Sequence, residues 1–204
     1  LEEIRNERLK KLELLKEKGI NPFPVSAKKS LDIAEVLGDF EKLLEKNKSL
    51  NIVGRIMAVR THGGSIFFDL SDGTGKIQAY VKKDEIGEEN FSLFNDAADI
   101  GDFVAVSGNP FITKKNEKTI KALSWKMLAK SLRPLPEKWH GLSDVEERFR
   151  KRYLDLLMND DVRRRFILRS KIISEIRKFL DKENFLEVDT PVLQTLAGGA
   201  LAKP

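Results

Sequence analysis

Ser65-Ile-Phe-Phe-Asp-Leu-Ser71, Asp72-Gly-Thr-Gly75 and Lys76-Ile-Gln-Ala-Tyr-Val-Lys82 decide how the chain is read. Successive side chains of a strand point to opposite sides, so Ile66, Phe68 and Leu70 form one face of the first run and Phe67, Asp69 and Ser71 the other. In the second run Ile77, Ala79 and Val81 are the core set, which leaves Lys76, Gln78, Tyr80 and Lys82 outside. Asp72-Gly73-Thr74-Gly75 supplies the residue types of a tight reversal, and the two runs are expected to pair. Phe67 is then exposed beside Gln78. The opposite register, or a loop lying over the ring, is the competing reading.

The same reading extends in both directions. Asn51 to Thr61 is strand-like and ends in His62-Gly63-Gly64, so the first three strands form a meander. A helical interval follows from Glu88 to Ala97. Asp102 to Thr113 and Lys118 to about Lys130 then read as two more strands across the polar turn Lys114-Lys115-Asn116-Glu117. Three strands, a helix and two strands is the order of an OB-fold, a small barrel that often binds oligonucleotides on one face; other five-stranded barrels share the order. Ahead of it, Leu1 to about Lys18 reads as an amphipathic helix with Ile4, Leu12 and Leu15 near one side, ended by Gly19 and broken by Asn21-Pro-Phe-Pro24. Its interleaved charges suit a solvated helix packed along a neighbouring domain better than a nucleic-acid-binding arm. Leu31 to Leu44, interrupted at Gly38, is a second helical stretch.

An exposed Phe beside an amide and cations suits a base-stacking platform, because the ring accepts any base face and the amide can read a base edge. Composition agrees without deciding it. The 204 residues carry 37 Lys+Arg against 32 Asp+Glu, a net +5 that favours a polyanionic partner only mildly. With no cysteine there is no disulfide and no thiolate metal site, and two histidines, His62 and His140, cannot build a zinc cage. No apolar run approaches a membrane span and the start lacks the apolar core of a secretory signal, so a cytoplasmic location without a membrane partner is expected. A chain beginning at Leu1 hints at processing or trimming.

Toward the other end Ile172, Ile173, Ile176, Phe179 and Leu180 fall on one helical stripe, and Phe185-Leu186-Glu187-Val188 before Pro191 reads as a short strand. One helix and one strand cannot bury both their faces, so this end reads as a domain cut while being built, in need of further sequence or a second chain. Between the barrel and this end lies Arg133-Pro-Leu-Pro-Glu-Lys-Trp-His-Gly-Leu142, an extended, proline-stiffened linker.

That linker closely resembles the connector after the anticodon-binding barrel of lysyl-tRNA synthetases. Glu147-Arg-Phe-Arg-Lys-Arg-Tyr-Leu-Asp-Leu156 resembles the arginine-rich helix that opens their catalytic domain, and Arg169 to Pro191 is similar to motif 1 of class II aminoacyl-tRNA synthetases. The resemblance covers nearly the whole chain and is strongest in the connector. It implies a mainly β plus α architecture: an N-terminal helical segment (1–50), an OB-fold anticodon-binding domain (51–130), a connector (131–145), and the opening helix and strand of an α+β catalytic domain (146–204). It further implies that Arg60 and Gln78 are polar contacts to a uridine-rich lysine anticodon, that Phe67 is the stacking ring, and that Glu117 is a further contact. An Arg at a strand end can meet a base edge or a phosphate; a carboxylate near RNA is useful only against a base donor. Gly198-Gly199-Ala200 resembles the loop near the amino-acid site, although a Gly-Gly pair is also a common flexible loop. Motif 1 implies a homodimer interface at Ile172, Ile173, Ile176, Phe179 and Pro191.

The implied activity is ATP-dependent attachment of lysine to tRNA(Lys), with ATP and magnesium held by motifs 2 and 3, which the family carries beyond Pro204; no catalytic or metal residue is assigned here, and the 204 residues alone are expected to be inactive. The alternative is a free-standing OB-fold module for tRNA or single-stranded nucleic acid, without catalysis. Aspartyl and asparaginyl synthetases share the barrel and motif 1, but Arg133-Pro-Leu-Pro136 and Trp139-His-Gly-Leu142 point to the lysyl branch. A lysyl-like ligase acting on elongation factor P resembles the catalytic domain without this barrel.

Overall fold

The structure, a computed structural model, describes residues 1–136, 142 and 144–193. Two compact units divide it, Leu1–Leu135 and Pro136–Pro204. In the first, α1 (Glu2–Glu17), α2 (Ile33–Gly38) and α3 (Phe40–Lys46) precede β1 (Leu50–His62), β2 (Ser65–Ser71) and β3 (Lys76–Lys82). Then come α4 (Lys83–Ile86), α5 (Glu88–Ala97), β4 (Phe103–Ile112) and β5 (Lys118–Ala129). The five strands close into a barrel in the order β1-β2-β3-β5-β4, antiparallel except where β3 meets β5. All five strands expected of the barrel form; the short helix α4 was not anticipated.

Alternation holds along the decisive stretch. Ile66, Phe68, Leu70, Ile77, Ala79 and Val81 are all buried and join Ile52, Ile56, Val104, Val106, Ile120 and Met127 in one core. Burying a side chain of this size is worth about 1.5–3 kcal/mol, so the strand faces alone commit the chain to this register. Phe94 of α5 joins the core, 4.8 Å from Phe68 and edge-on to Trp125 at 5.0 Å. Gly108 lets the strands close on each other: a Cβ there would stand 2.0 Å from the Lys121 carbonyl, at a register shift where Leu123 makes β5 bulge against β4.

The N-terminal helices are part of this unit. Leu15, Ile33, Val36 and Phe40 are fully buried in the barrel's core cluster. Asp72 of the β2–β3 turn accepts the Ile33 N–H at 2.9 Å and the Gly75 and Thr74 N–H groups, tying the turn to the start of α2. On α1, Leu12 and Leu15 are buried as expected, but Ile4 is exposed and Arg8 is buried in its place. The reason is polar: Arg8 donates to the carbonyls of Ile100, Ser131 and Arg133 at 2.9–3.0 Å, which no aliphatic side chain can do.

The second unit contains α6 (Val145–Arg150), α7 (Arg152–Met158) and α8 (Asp160–Lys182). Their junctions are gathered on the buried Asp155, which accepts from Arg148 Nε at 3.0 Å, Arg152 Nη1 at 2.5 Å and Asn159 Nδ2 at 2.6 Å. Phe185 to Val188, expected as a strand, is not one. A strand needs a ladder, and none of the described residues pairs with it; instead Asn184 turns with φ +65° and the Phe185 N–H returns to the Leu180 carbonyl, closing α8.

Candidate nucleic-acid interface

Register places a row of side chains across the outer face of four strands. Arg60 of β1 stands opposite Phe67 of β2, Phe67 opposite Tyr80 of β3, and Tyr80 opposite Lys121 of β5. The next row runs Asp69, Gln78, Thr119. Phe67 is on the outer face as expected but only half-buried rather than fully exposed, because its ring stacks on Tyr80 with centroids 4.5 Å apart and planes at 28°. The Tyr80 hydroxyl is within 3.1 Å of Ser65 Oγ, and its ring meets Phe111 at 5.7 Å.

Charge is organised around this aromatic row. Asp69, only 9% accessible, is wrapped by two cations, Arg60 Nη2 at 3.0 Å and Lys76 Nζ at 2.8 Å. Asp69 uses one nitrogen of the Arg60 guanidinium, a group with five N–H donors. Gln78 Nε2 donates to Glu117 Oε2 at 2.9 Å, and the Thr119 hydroxyl is 3.0 Å from Gln78 Oε1. Since a carboxylate only accepts, Glu117 sets which way the amide points.

Arg60, Phe67, Gln78 and Glu117 thus line one open hollow of about 580 Å³, together with Tyr80 and Phe111. Lys114 and Lys115 on the β4–β5 turn complete its rim. The structure therefore brings the four expected residues together. Tyr80 and Phe111 were not singled out, although alternation already put Tyr80 outside, and along β4 it puts Phe111 opposite in sense to the buried Val104, Val106 and Pro110. Gly198, Gly199 and Ala200 lie outside the described residues.

A separate feature runs along α8, no residue of which is buried. Ile172, Ile176 and Phe179 are more than half accessible, Pro191 is exposed and Ile173 is half-buried. Ile172, Ile173, Ile176 and Phe179 border two shallow apolar grooves of about 390 and 510 Å³, the first shared with Phe185 and Leu186; Pro191 lines neither.

Comparison with known proteins reproduces this division. Residues 50–128 match the OB-fold nucleic acid binding domain family, and residues 144–204 match the tRNA synthetases class II (D, K and N). The chain thus joins an OB-fold anticodon-binding domain to the start of a class II tRNA synthetase domain. It is 48% identical over all of its 204 residues to a lysine–tRNA ligase of Carboxydothermus hydrogenoformans, 47% identical over 97% of the chain to lysine–tRNA ligase 2 of Methanosarcina mazei, and 44% identical over its full length to a lysine–tRNA ligase of Thermotoga maritima. Over its whole length, therefore, the chain is a homologue of the lysine–tRNA ligases, spanning 39–41% of the length of these relatives.

Proposed function

We propose that this chain supplies anticodon recognition, and part of a homodimer interface, to a lysine–tRNA ligase that attaches lysine to tRNA(Lys) using ATP. The observation that carries the reading is the convergence of Arg60, Phe67, Gln78 and Glu117 on one hollow of the barrel's outer face. Phe67 offers a stacking surface to a base. Uracil presents two carbonyl acceptors flanking one N–H donor: Arg60 supplies donors, the Glu117 carboxylate an acceptor, and Gln78 both. Cytosine reverses part of that pattern, so the same groups discriminate against it. Lys114 and Lys115 at the rim suit the backbone phosphates, a contact that positions without specifying.

The match of residues 144–204 to class II synthetases favours this over a free-standing binding module. ATP and magnesium belong to the chemistry of the whole enzyme; this chain contributes positioning of the tRNA rather than groups that hold the phosphates of ATP. No helix among the described residues is long and apolar enough to cross a membrane, in keeping with a cytoplasmic place for the enzyme.

Filter binding with anticodon stem-loops tests the reading. Phe67→Ala weakens binding of a lysine anticodon stem-loop by about 1–3 kcal/mol, the usual worth of one base stack, and Gln78→Ala mainly relaxes the preference between U and C. Unchanged affinity in the Phe67 variant removes that ring from the site.

A further inference from the structure

Phe67 has two flanks on the outer face, Arg60 on β1 and Tyr80 on β3. The Tyr80 flank is closed. At 4.5 Å between centroids and 28° between planes the two rings are already in contact, and a base inserted between them would need two stacking intervals of about 3.4 Å each. Nor is Tyr80 placed to give way. Its hydroxyl is held 3.1 Å from Ser65 Oγ, and Phe111 stands behind it, tilted by 49° at 5.7 Å. Phe111, Tyr80 and Phe67 therefore form a row of rings in which Phe67 is the terminal member, and its remaining flank looks toward β1.

We infer that Tyr80 is a positioning residue, which closes one face of the Phe67 ring so that a base stacks on the other face alone, next to Arg60. This rests on the anticodon-binding reading above and deepens it. Two consequences follow from the geometry. A base on that face lies within the reach of the Arg60 guanidinium, whose Nη2 is fixed by Asp69 at 3.0 Å, so stacking and edge reading are set by the same placement. A Phe67 ring without its partner turns about its side-chain torsions, and a stacked base then costs ring ordering as well as its own. The ring of Tyr80 matters more than its hydroxyl, since the stacking is made by the ring.

The test uses the full chain and a lysine anticodon stem-loop carrying 5-iodouridine at each anticodon position in turn, which cross-links on irradiation to an aromatic ring stacked on it. In the wild-type protein the cross-link maps to Phe67 and none maps to Tyr80. Tyr80→Leu raises Kd about threefold to tenfold and lowers the Phe67 cross-link even at saturating RNA, whereas Tyr80→Phe stays within about twofold and keeps the cross-link. A cross-link on Tyr80 in the wild type overturns the inference without any substitution. So does a Tyr80→Leu protein with wild-type affinity and wild-type yield. Loss of effect on Phe67→Ala instead removes the anticodon reading itself, so the two failures are distinguishable.

Discussion

The barrel and helix α8 treat their apolar side chains in opposite ways. In the barrel, one face of the strands is removed from water, and even a turn residue, Asp72, is committed to α2 through the Ile33 N–H. Along α8, 23 residues long, a comparable stripe of Ile172, Ile176 and Phe179 stays in contact with water, and the ion pairs within the helix are solvated partners three residues apart, such as Arg164–Asp161 and Lys178–Glu175. Pairs of that kind contribute little. The barrel's fold is complete in its own contacts; α8 presents a surface of the kind that interfaces are made from.

The largest expected effect tests the completeness of the barrel. Phe68→Ala removes a fully buried ring that touches Phe94, and it lowers stability in a urea titration by about 3–5 kcal/mol. A loss below about 1 kcal/mol would mean the core is less tightly shared than its burial shows. Gly108→Ala comes next, at about 1–3 kcal/mol, because the added Cβ meets backbone rather than a side chain that can swing away. The bulge must open for it to fit, and hydrogen exchange of the β4–β5 amides would report that opening.

The turn between β2 and β3 gives a smaller effect with a definite pH dependence. Burial pushes the Asp72 carboxyl up, but the Thr74 hydroxyl and the N–H groups of Ile33, Thr74 and Gly75 outweigh it and hold the pKa at about 2. A folded-state pKa below the unfolded value near 3.9 contributes stability that is fully present above that value and lost as pH falls through about 2. Asp72→Ala therefore costs about 0.5–2 kcal/mol at neutral pH and shallows the acid limb of the stability curve between pH 4 and 2. An unchanged acid limb would show that other carboxylates govern it.

The smallest effect on stability belongs to α8, and it sharpens the contrast. An Ile173→Asp, Ile176→Asp double variant leaves barrel unfolding within about 0.5 kcal/mol of wild type, the usual range for surface changes. The same variant shifts the mass measured by light scattering from dimer to monomer, because it sets carboxylates into the stripe that a second copy would cover. A monomeric wild type would remove the proposed interface.

How legible each region was follows from the same contrast. In the barrel, periodicity and burial agree, so the strands, the outward set of Phe67, Gln78 and Tyr80, and the helix Glu88–Ala97 could all be read before the fold was seen. Arg60 and Glu117 were legible only through resemblance, since nothing in their local pattern places an arginine at residue 60 and a carboxylate at residue 117 around one hollow. The misreadings fall where a partner decides the outcome. Ile4 belongs to an amphipathic pattern, yet Arg8 took the buried place because three main-chain carbonyls from distant segments meet there. Phe185 to Val188 has strand composition, yet without a neighbouring strand its backbone groups have no ladder to join.

The sequence by itself determined the alternation of the strands, the turns between them and hence the barrel, because side-chain period and glycine placement are local properties of the chain. Only the tertiary structure decided that Phe67 leans on Tyr80, that Glu117 orients Gln78 from 39 residues away and that Arg8 is sealed beneath the barrel's exit. Those are contacts between residues distant along the chain. Their geometry is set by strand register and barrel closure, which a linear pattern constrains but does not contain.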